Sequence, residues 1–365
     1  MGQQRLRARP RSPRRRDSAF PAPARQAADP SVAHDRTHNG RASFVAPTRP
    51  RGSPSEPSMG LTYTEIHEML SARRAGASFH RALTLGRQNL YLHRKESAAL
   101  IDEFGLAPEV AGLSEPFGAY ADDFLRTALL VGALDSMDVS SYEGAAILHD
   151  LNVPVARDLE QCFDAVIDGG TLEHIFNIPV ALSNVMRMTK VGGRVFLANP
   201  ANNLCGHGFF QFSPELMFRT FSSAHGFAVE RIALMEAEFP GIELVPRRGL
   251  YEVNDPEELG VRVTLVSRHP IMLVVHARKL NHLSDPLRVT PQQSDYMEMW
   301  NGEGAAPATI ATGQRHRGRS VRYLFRKTAR SLSQRAPPKV ERRIRGYQQR
   351  MRASLRNRRF YMKAR

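Results

Sequence analysis

The stretch FDAVIDGGTLEHIFNIPVALSNVMRMTKVGGRVFLANP, Phe163 to Pro200, decides the fold. Its two ends, Phe163 to Asp168 and Gly193 to Asn199, are short apolar runs bounded by Gly, Asp, Asn and Pro. Neither shows clean alternation of apolar and polar residues, the pattern of strands buried on both faces of a parallel sheet. Between them, from Leu172 to Thr189, Ile175, Ala181, Leu182, Val185 and Met188 recur at a helical period. Strand, helix and strand in that order predict a right-handed crossover in an open α/β sheet.

The same alternation extends on both sides. Upstream, Thr64 to Arg73 reads as a helix, Ser78 to Gly86 as a strand ended by glycine, and His93 to Phe104 as a helix. Ala121 to Ala133 is helical in period, and Leu134 to Val139 and Gly144 to Asp150 read as further strands. Downstream, Ser213-Pro214-Glu215 is a helix start, with a hydroxyl to cap and proline at the first helical position, and Gly226 reads as its C-cap. Val261 to Ser267 and Pro270 to Ala277 are expected to be a terminal pair of strands. The predicted fold class is therefore α/β: a doubly wound, mostly parallel, Rossmann-like sheet with helices on both faces, over residues 59–280.

Composition sets the ends apart. Residues 1–58 hold twelve arginines and four acids among Pro, Ala and Ser; they cannot bury enough apolar surface to order, so a disordered basic extension is expected. Met59 opens a clean helical pattern and reads as an alternative start. After a linker over 281–314, residues 315–365 are read as a basic C-terminal tail, with a single acid, Glu341, in that stretch. Two basic amphipathic helices, split at Ala336-Pro337-Pro338, are readable in it; they would contact an anionic surface such as a membrane, a nucleic acid or a protein partner, or fold back on the acidic core. No motif for reading nucleic acid is present. Two cysteines, Cys162 and Cys205, make no disulfide framework, and the longest apolar runs fall short of a membrane span, so a cytoplasmic protein is expected. The histidines are scattered at spacings that match no recognised metal site, and no metal is expected.

Ligands of open α/β sheets bind where the strand order reverses, against the carboxyl ends of the strands. The polar residues directly after the predicted strands are Gly86 to Asn89, Asp138 to Ser140, His149 to Asn152, Asp168 to Thr171 and Asn199 to Asn202. In this frame FDAVIDGGTLEHI and RMTKVGGRVFLANP resemble the "FDvV…LEH…R.LKPGGR" block of class I S-adenosylmethionine-dependent methyltransferases, of the group that methylates ubiquinone precursors and many small molecules. Met137-Asp138-Val139-Ser140 is similar to the family's "vDiS", His149 to Pro154 to its "gD…lP", and Phe210 to Phe227 to its late "ft.eel..ll..aGF" segment. The resemblance implies S-adenosylmethionine as cofactor, with Asp138 on the ribose and Asp150 beside the adenine. Gly86, Asp168 and Gly169 would complete the cofactor pocket. On the acceptor side it leaves Glu173 and His174 as an acid-base pair or as substrate ligands, His207 as a further catalytic candidate, and Asn202 as a substrate contact. The acceptor would be a small molecule or glycan.

The glycine-rich loop departs from that family. Where it has "vLDiGcGtG", this chain has Ala82 to Leu90, in which only Gly86 survives; Thr84 replaces an acid, and Gln88 and Leu90 stand where glycine lets the backbone approach a cofactor. The interval from Gly86 to Asp138 is also longer than the roughly 20 residues usual after a glycine loop, implying an insertion around Gly105 to Asp122. The alternative function is accordingly a non-catalytic module of this fold that has lost the cofactor and acts through its basic tail.

Overall fold

The computed structural model describes residues 60–237, 249–296 and 338–364. The expected N-terminal extension, the end of the linker and the first of the two tail helices lie outside the described residues. In chain order the elements are β1 (Gly60–Thr62), α1 (Tyr63–Arg74), β2 (Arg81–Leu85), β3 (Asn89–Tyr91), α2 (Arg94–Phe104), α3 (Val110–Leu113), α4 (Asp122–Ala128), β4 (Ala133–Asp138), β5 (Ile147–Leu148), β6 (Phe163–Asp168), α5 (Ile178–Met188), β7 (Thr189–Asn202), α6 (Pro214–Thr220), β8 (Phe227–Glu236), β9 (Gly249–Val253), α7 (Pro256–Leu259), β10 (Ile271–Lys279), α8 (Pro338–Arg352) and β11 (Tyr361–Lys363).

β1 and β3 form a small parallel pair, and the other nine strands make one sheet in the order β11-β9-β8-β10-β7-β6-β2-β4-β5. From β7 to β5 every pairing is parallel, whereas β10 runs against both β7 and β8, and β9 against β8 and β11. Seven of the nine strands consequently point one way. The chain moves from β2 outward to β4 and β5, then returns to β6 and β7 on the other side, so the order reverses between β2 and β6.

Side chains alternate across this sheet into two cores, as a layer covered on both faces requires. Leu83, Leu85, Val166, Val195 and Leu197 join Ala181, Leu182 and Val185 of α5 and Met217 of α6 on one face. Ala82, Ala165, Ile167 and Phe196 join Ile66, Met69 and Leu70 of α1, Leu100 of α2 and Phe124 of α4 on the other. Continuous apolar strands such as AVI at 165–167 are thus apolar because both of their faces are dry.

Several boundaries differ from expectation for local reasons. The predicted helix from Leu172 breaks into a 3-10 turn, Leu172–His174, and α5, because Pro179 lacks the N–H that a continuous helix would donate to Ile175 O and is tolerated only in a first turn. Gly226, at φ +80, ends a separate 3-10 turn, Ser223–His225, rather than α6 itself. Only Ile147 and Leu148 of the expected strand from Gly144 pair with β4. Val261 to Ser267 is no strand: its alternate residues Val261, Val263 and Leu265 pack against the core, but its backbone is tied to the C-terminal segment, with Val266 N donating to Ala353 O (2.6 Å) and Tyr361 Oη to Thr264 O (3.0 Å). The partner of β10 is β8, whose FAVERIALME pattern sends Ile232 and Leu234 into one core and Ala233 and Met235 into another.

The chain end, read from its sequence as a basic and possibly helical tail, supplies the last strand of the sheet. β11 closes the sheet against β9 in the register Tyr361↔Val253, and Phe360 and Tyr361 belong to the main core cluster. Charge in the segment hid a two-residue apolar anchor. Among the described residues no helix is long and apolar enough to cross a membrane. Truncating a buried aromatic side chain costs about 3–5 kcal/mol. Tyr361→Ala is therefore expected to lower the urea-unfolding midpoint substantially; an unchanged midpoint would show that residues 361–363 do not hold the sheet edge.

Candidate active site

The reversal between β2 and β6 brings together the loops that the sequence singled out. Gly86 has φ +66, and a Cβ there would lie 3.2 Å from Thr171 Oγ1 and 4.0 Å from Asp138 Oδ2. Its N–H donates to Met137 O (2.7 Å), and Thr171 Oγ1 donates to Leu85 O (2.7 Å), which fastens the ends of β2, β4 and β6 to one another. Asp138 uses Oδ1 to accept Ser140 N (3.1 Å). Asp150 is exposed, and the Asn152 N and Nδ2 donors hold its carboxyl below the usual range. His149 N donates to Asp138 O, so Asp138 ends β4 and Asp150 lies just past the end of the neighbouring β5.

Two departures in the glycine loop resolve differently. Leu90 turns into the core beneath α1 and α2 and takes no part in the crevice. Gln88 lies inside it: Nε2 donates to Leu85 O (2.5 Å), and Oε1 would be 2.4 Å from a Cβ on Gly169. That Oε1 is buried without a hydrogen-bond partner among the described residues. The Gln88 amide thus lies over Gly169, in the space a side chain there would occupy.

A buried polar chain continues along β6 and β7. Asp168 Oδ1 accepts Thr171 N (2.7 Å), the strand-end capping role, while Oδ2 accepts Asn199 Nδ2 (2.7 Å). The same Nδ2 donates to Glu173 Oε2 (3.0 Å). Glu173 Oε1 lies 3.6 Å from His207 Nε2, and the His174 and His207 rings meet edge to face at 5.3 Å. The loop carrying His207 is clamped by Phe209 N (2.8 Å) and Phe210 N (3.2 Å) donating to Glu173 O; Gly208, at φ +124, leaves 2.9 Å between that oxygen and a would-be Cβ. Beside the histidines, Phe176 and Phe209 form an exposed edge-to-face pair at 5.7 Å. Asn202 stands apart, at the end of β7 opposite Ile271, with Oδ1 accepting Asn203 N (3.0 Å).

The structure therefore brings Gly86, Asp138, Asp168 and Gly169 together at the ends of β2, β4 and β6, with Glu173, His174 and His207 beyond Asp168 and Asp150 exposed after the neighbouring strand. Asn199 and Thr171 are the additional residues that join these groups. Their signal in sequence was only that Thr171 follows the strand from Phe163 and Asn199 closes the run from Gly193; their partners lie up to 86 positions away.

No protein-family model and no curated protein matches the chain. Solved structures similar to it include 1,6-didemethyltoxoflavin-N1-methyltransferase of Burkholderia thailandensis with 1,6-didemethyltoxoflavin and S-adenosylhomocysteine bound (14% identity, 60% of this chain and 80% of that one, TM-score 0.30). TehB from Haemophilus influenzae aligns at 13% identity over 58% of this chain and 62% of its own (TM-score 0.31). The YcgJ protein from Bacillus subtilis aligns at 12% over 60% of this chain and all of its own (TM-score 0.32). These likenesses are distant, and the site is read from its own residues.

Burial and the adjacent Glu173 carboxylate push Asp168 up to about 7. A carboxyl whose pKa rises on folding adds stability that is complete below its unfolded value, about 4, and is lost as pH rises through the folded value. Asp168→Asn cannot ionise. Between pH 5 and 8 the urea midpoint of the wild type should fall relative to that of the variant, and a constant difference would contradict the assignment.

Proposed function

We propose that the chain is an S-adenosylmethionine-dependent methyltransferase of the class I type, acting on an oxygen, nitrogen or carbon nucleophile of a small molecule or glycan. The observation that carries this reading is the meeting of Gly86, Asp138 and Thr171 where the strand order reverses. In this reading Asp138 accepts the ribose hydroxyls, Asp150 stands beside the adenine, and Gly86 and Gly169 give the backbone access, with Asp168 as the crevice floor. The cofactor supplies an electrophilic methyl group on a sulfonium. The chain's own task is to hold a nucleophile in line with that methyl, a positioning effect. His174 or His207 would take the acceptor's proton, a role suited to imidazole near neutral pH. The exposed Phe176 and Phe209 rings offer an apolar face for the acceptor, and Asn202 a more distant polar contact.

Gln88 must leave for a nucleoside to enter. Its Nε2 makes one short hydrogen bond, to Leu85 O, and a marginal one to Gly86 O (3.5 Å), while its Oε1 has no hydrogen-bond partner among the described residues. A typical net hydrogen bond is worth about 1 kcal/mol, so its displacement should weaken cofactor binding by only about fivefold. Gln88 is also the observation that favours the second reading, a module of this fold that no longer binds cofactor. Contact with an anionic surface through the exposed arginines of α8, among them Arg342, Arg343 and Arg345, would then be its activity.

Ligand that binds only the native state raises its stability. S-Adenosylhomocysteine is expected to raise the thermal midpoint, Gln88→Ala to enlarge that shift, and Asp138→Ala to abolish it. No shift at millimolar ligand in either the wild type or Gln88→Ala would establish the module reading instead.

A further inference from the structure

Glu173, His174 and His207 each present one donor atom within 4.8 Å of the other two. Glu173 is fully buried, at 0% exposure. Its Oε2 is engaged by Asn199, but its Oε1 is buried without a hydrogen-bond partner among the described residues and faces His207 Nε2 at 3.6 Å. That separation is too long for a hydrogen bond. It suits two donors on one ion, since ligands 2.0–2.1 Å from a tetrahedral zinc lie about 3.4 Å apart. Burying a carboxylate is costly unless its charge is compensated, and a cation between Oε1 and the imidazoles would compensate it.

We propose that Glu173, His174 and His207 form a binding site for a first-row divalent transition-metal ion of the zinc type. Two imidazoles and a carboxylate suit such ions, and three protein ligands leave coordination positions for water or substrate. His174 is exposed and His207 half-buried, so those positions are reachable from solvent. The site is prepared in advance: the 3-10 turn Leu172–His174 sets the two adjacent ligands, and the Phe209 and Phe210 N–H groups clamp the third ligand's loop onto Glu173 O. Asn199 orients the carboxylate from behind, the usual role of an outer-shell partner. The ligands stand 33 positions apart in the chain, which is why local spacing did not reveal them. The site stands without the methyltransferase reading; if both hold, the two imidazoles serve as ligands in place of proton acceptors, and the ion would bind an acceptor oxygen and ease its deprotonation.

The test uses the full chain, stripped with a chelator, dialysed against Zn2+ alone and titrated with a chromophoric competitor. One zinc per chain is expected. Glu173→Gln, His174→Ala and His207→Ala should each weaken binding more than tenfold, and Asn199→Ala by about 10–100-fold. His67→Ala and Cys205→Ser should bind as the wild type does. Co2+ substitution should give visible d–d bands without a sulfur charge-transfer band. Substoichiometric zinc, wild-type affinity in the exposed His174→Ala variant, or a sulfur-to-cobalt band would overturn the proposal. Zinc binding without any adenosylhomocysteine shift, even in Gln88→Ala, removes the methyltransferase reading and leaves this site; the reverse pattern does the opposite.

Discussion

Two carboxylates, Asp168 and Glu173, are buried at the ends of β6 and its following turn, and one amide nitrogen of Asn199 donates to both. Buried acids without nearby cations are tolerated only when hydrogen-bonded or protonated. This pair therefore restricts everything around it. Asn199 fixes β7 against β6, Asp168 holds the turn at Thr171, and Thr171 reaches back to the end of β2. Glu173 in turn anchors the loop from Gly208 to Phe210 through its own carbonyl. The strand reversal is thus linked by one hydrogen-bonded chain to Glu173 and, through its carbonyl, to the loop that carries His207.

The half of the molecule that holds this chain was legible in the residues. β6 was read with its observed bounds, and α1, α2 and β4 to within a residue or two, because strands dry on both faces and amphipathic helices leave strong periodic signals. The antiparallel half was less legible. FAVERIALME mixes charges into a strand whose Glu230 pairs with Arg194 of β7 and Arg278 of β10 along the sheet, so its polar residues are satisfied by neighbours that no local window contains. Val261 to Leu265 shows the opposite failure: its alternation is real, but no neighbouring strand takes up its backbone.

The same contrast holds at the site. Gly86 follows β2 and Asp138 and Asp168 end β4 and β6, so these could be placed by position alone, whereas the relation of His207 to Glu173 depends on a loop folding back onto the turn after β6. Gln88 could be recognised in sequence as an intrusion into a glycine loop, but its occupation of the space over Gly169 could not. At the chain end, nineteen basic residues from 313 onward outweighed the two adjacent apolar residues, Phe360 and Tyr361, that join the sheet. Net charge describes the surface of such a segment, and burial is decided by individual side chains.

The central claim is that the reversal point between β2 and β6 is a nucleoside site whose door is the Gln88 side chain. A crystal structure of the chain grown with S-adenosylhomocysteine tests it most directly. The account predicts the ribose against Asp138, the backbone of Gly86 beside the ligand, and the Gln88 amide rotated away from Leu85 O. Gln88 still bonded to Leu85 O with the nucleoside absent, or bound elsewhere, would contradict it.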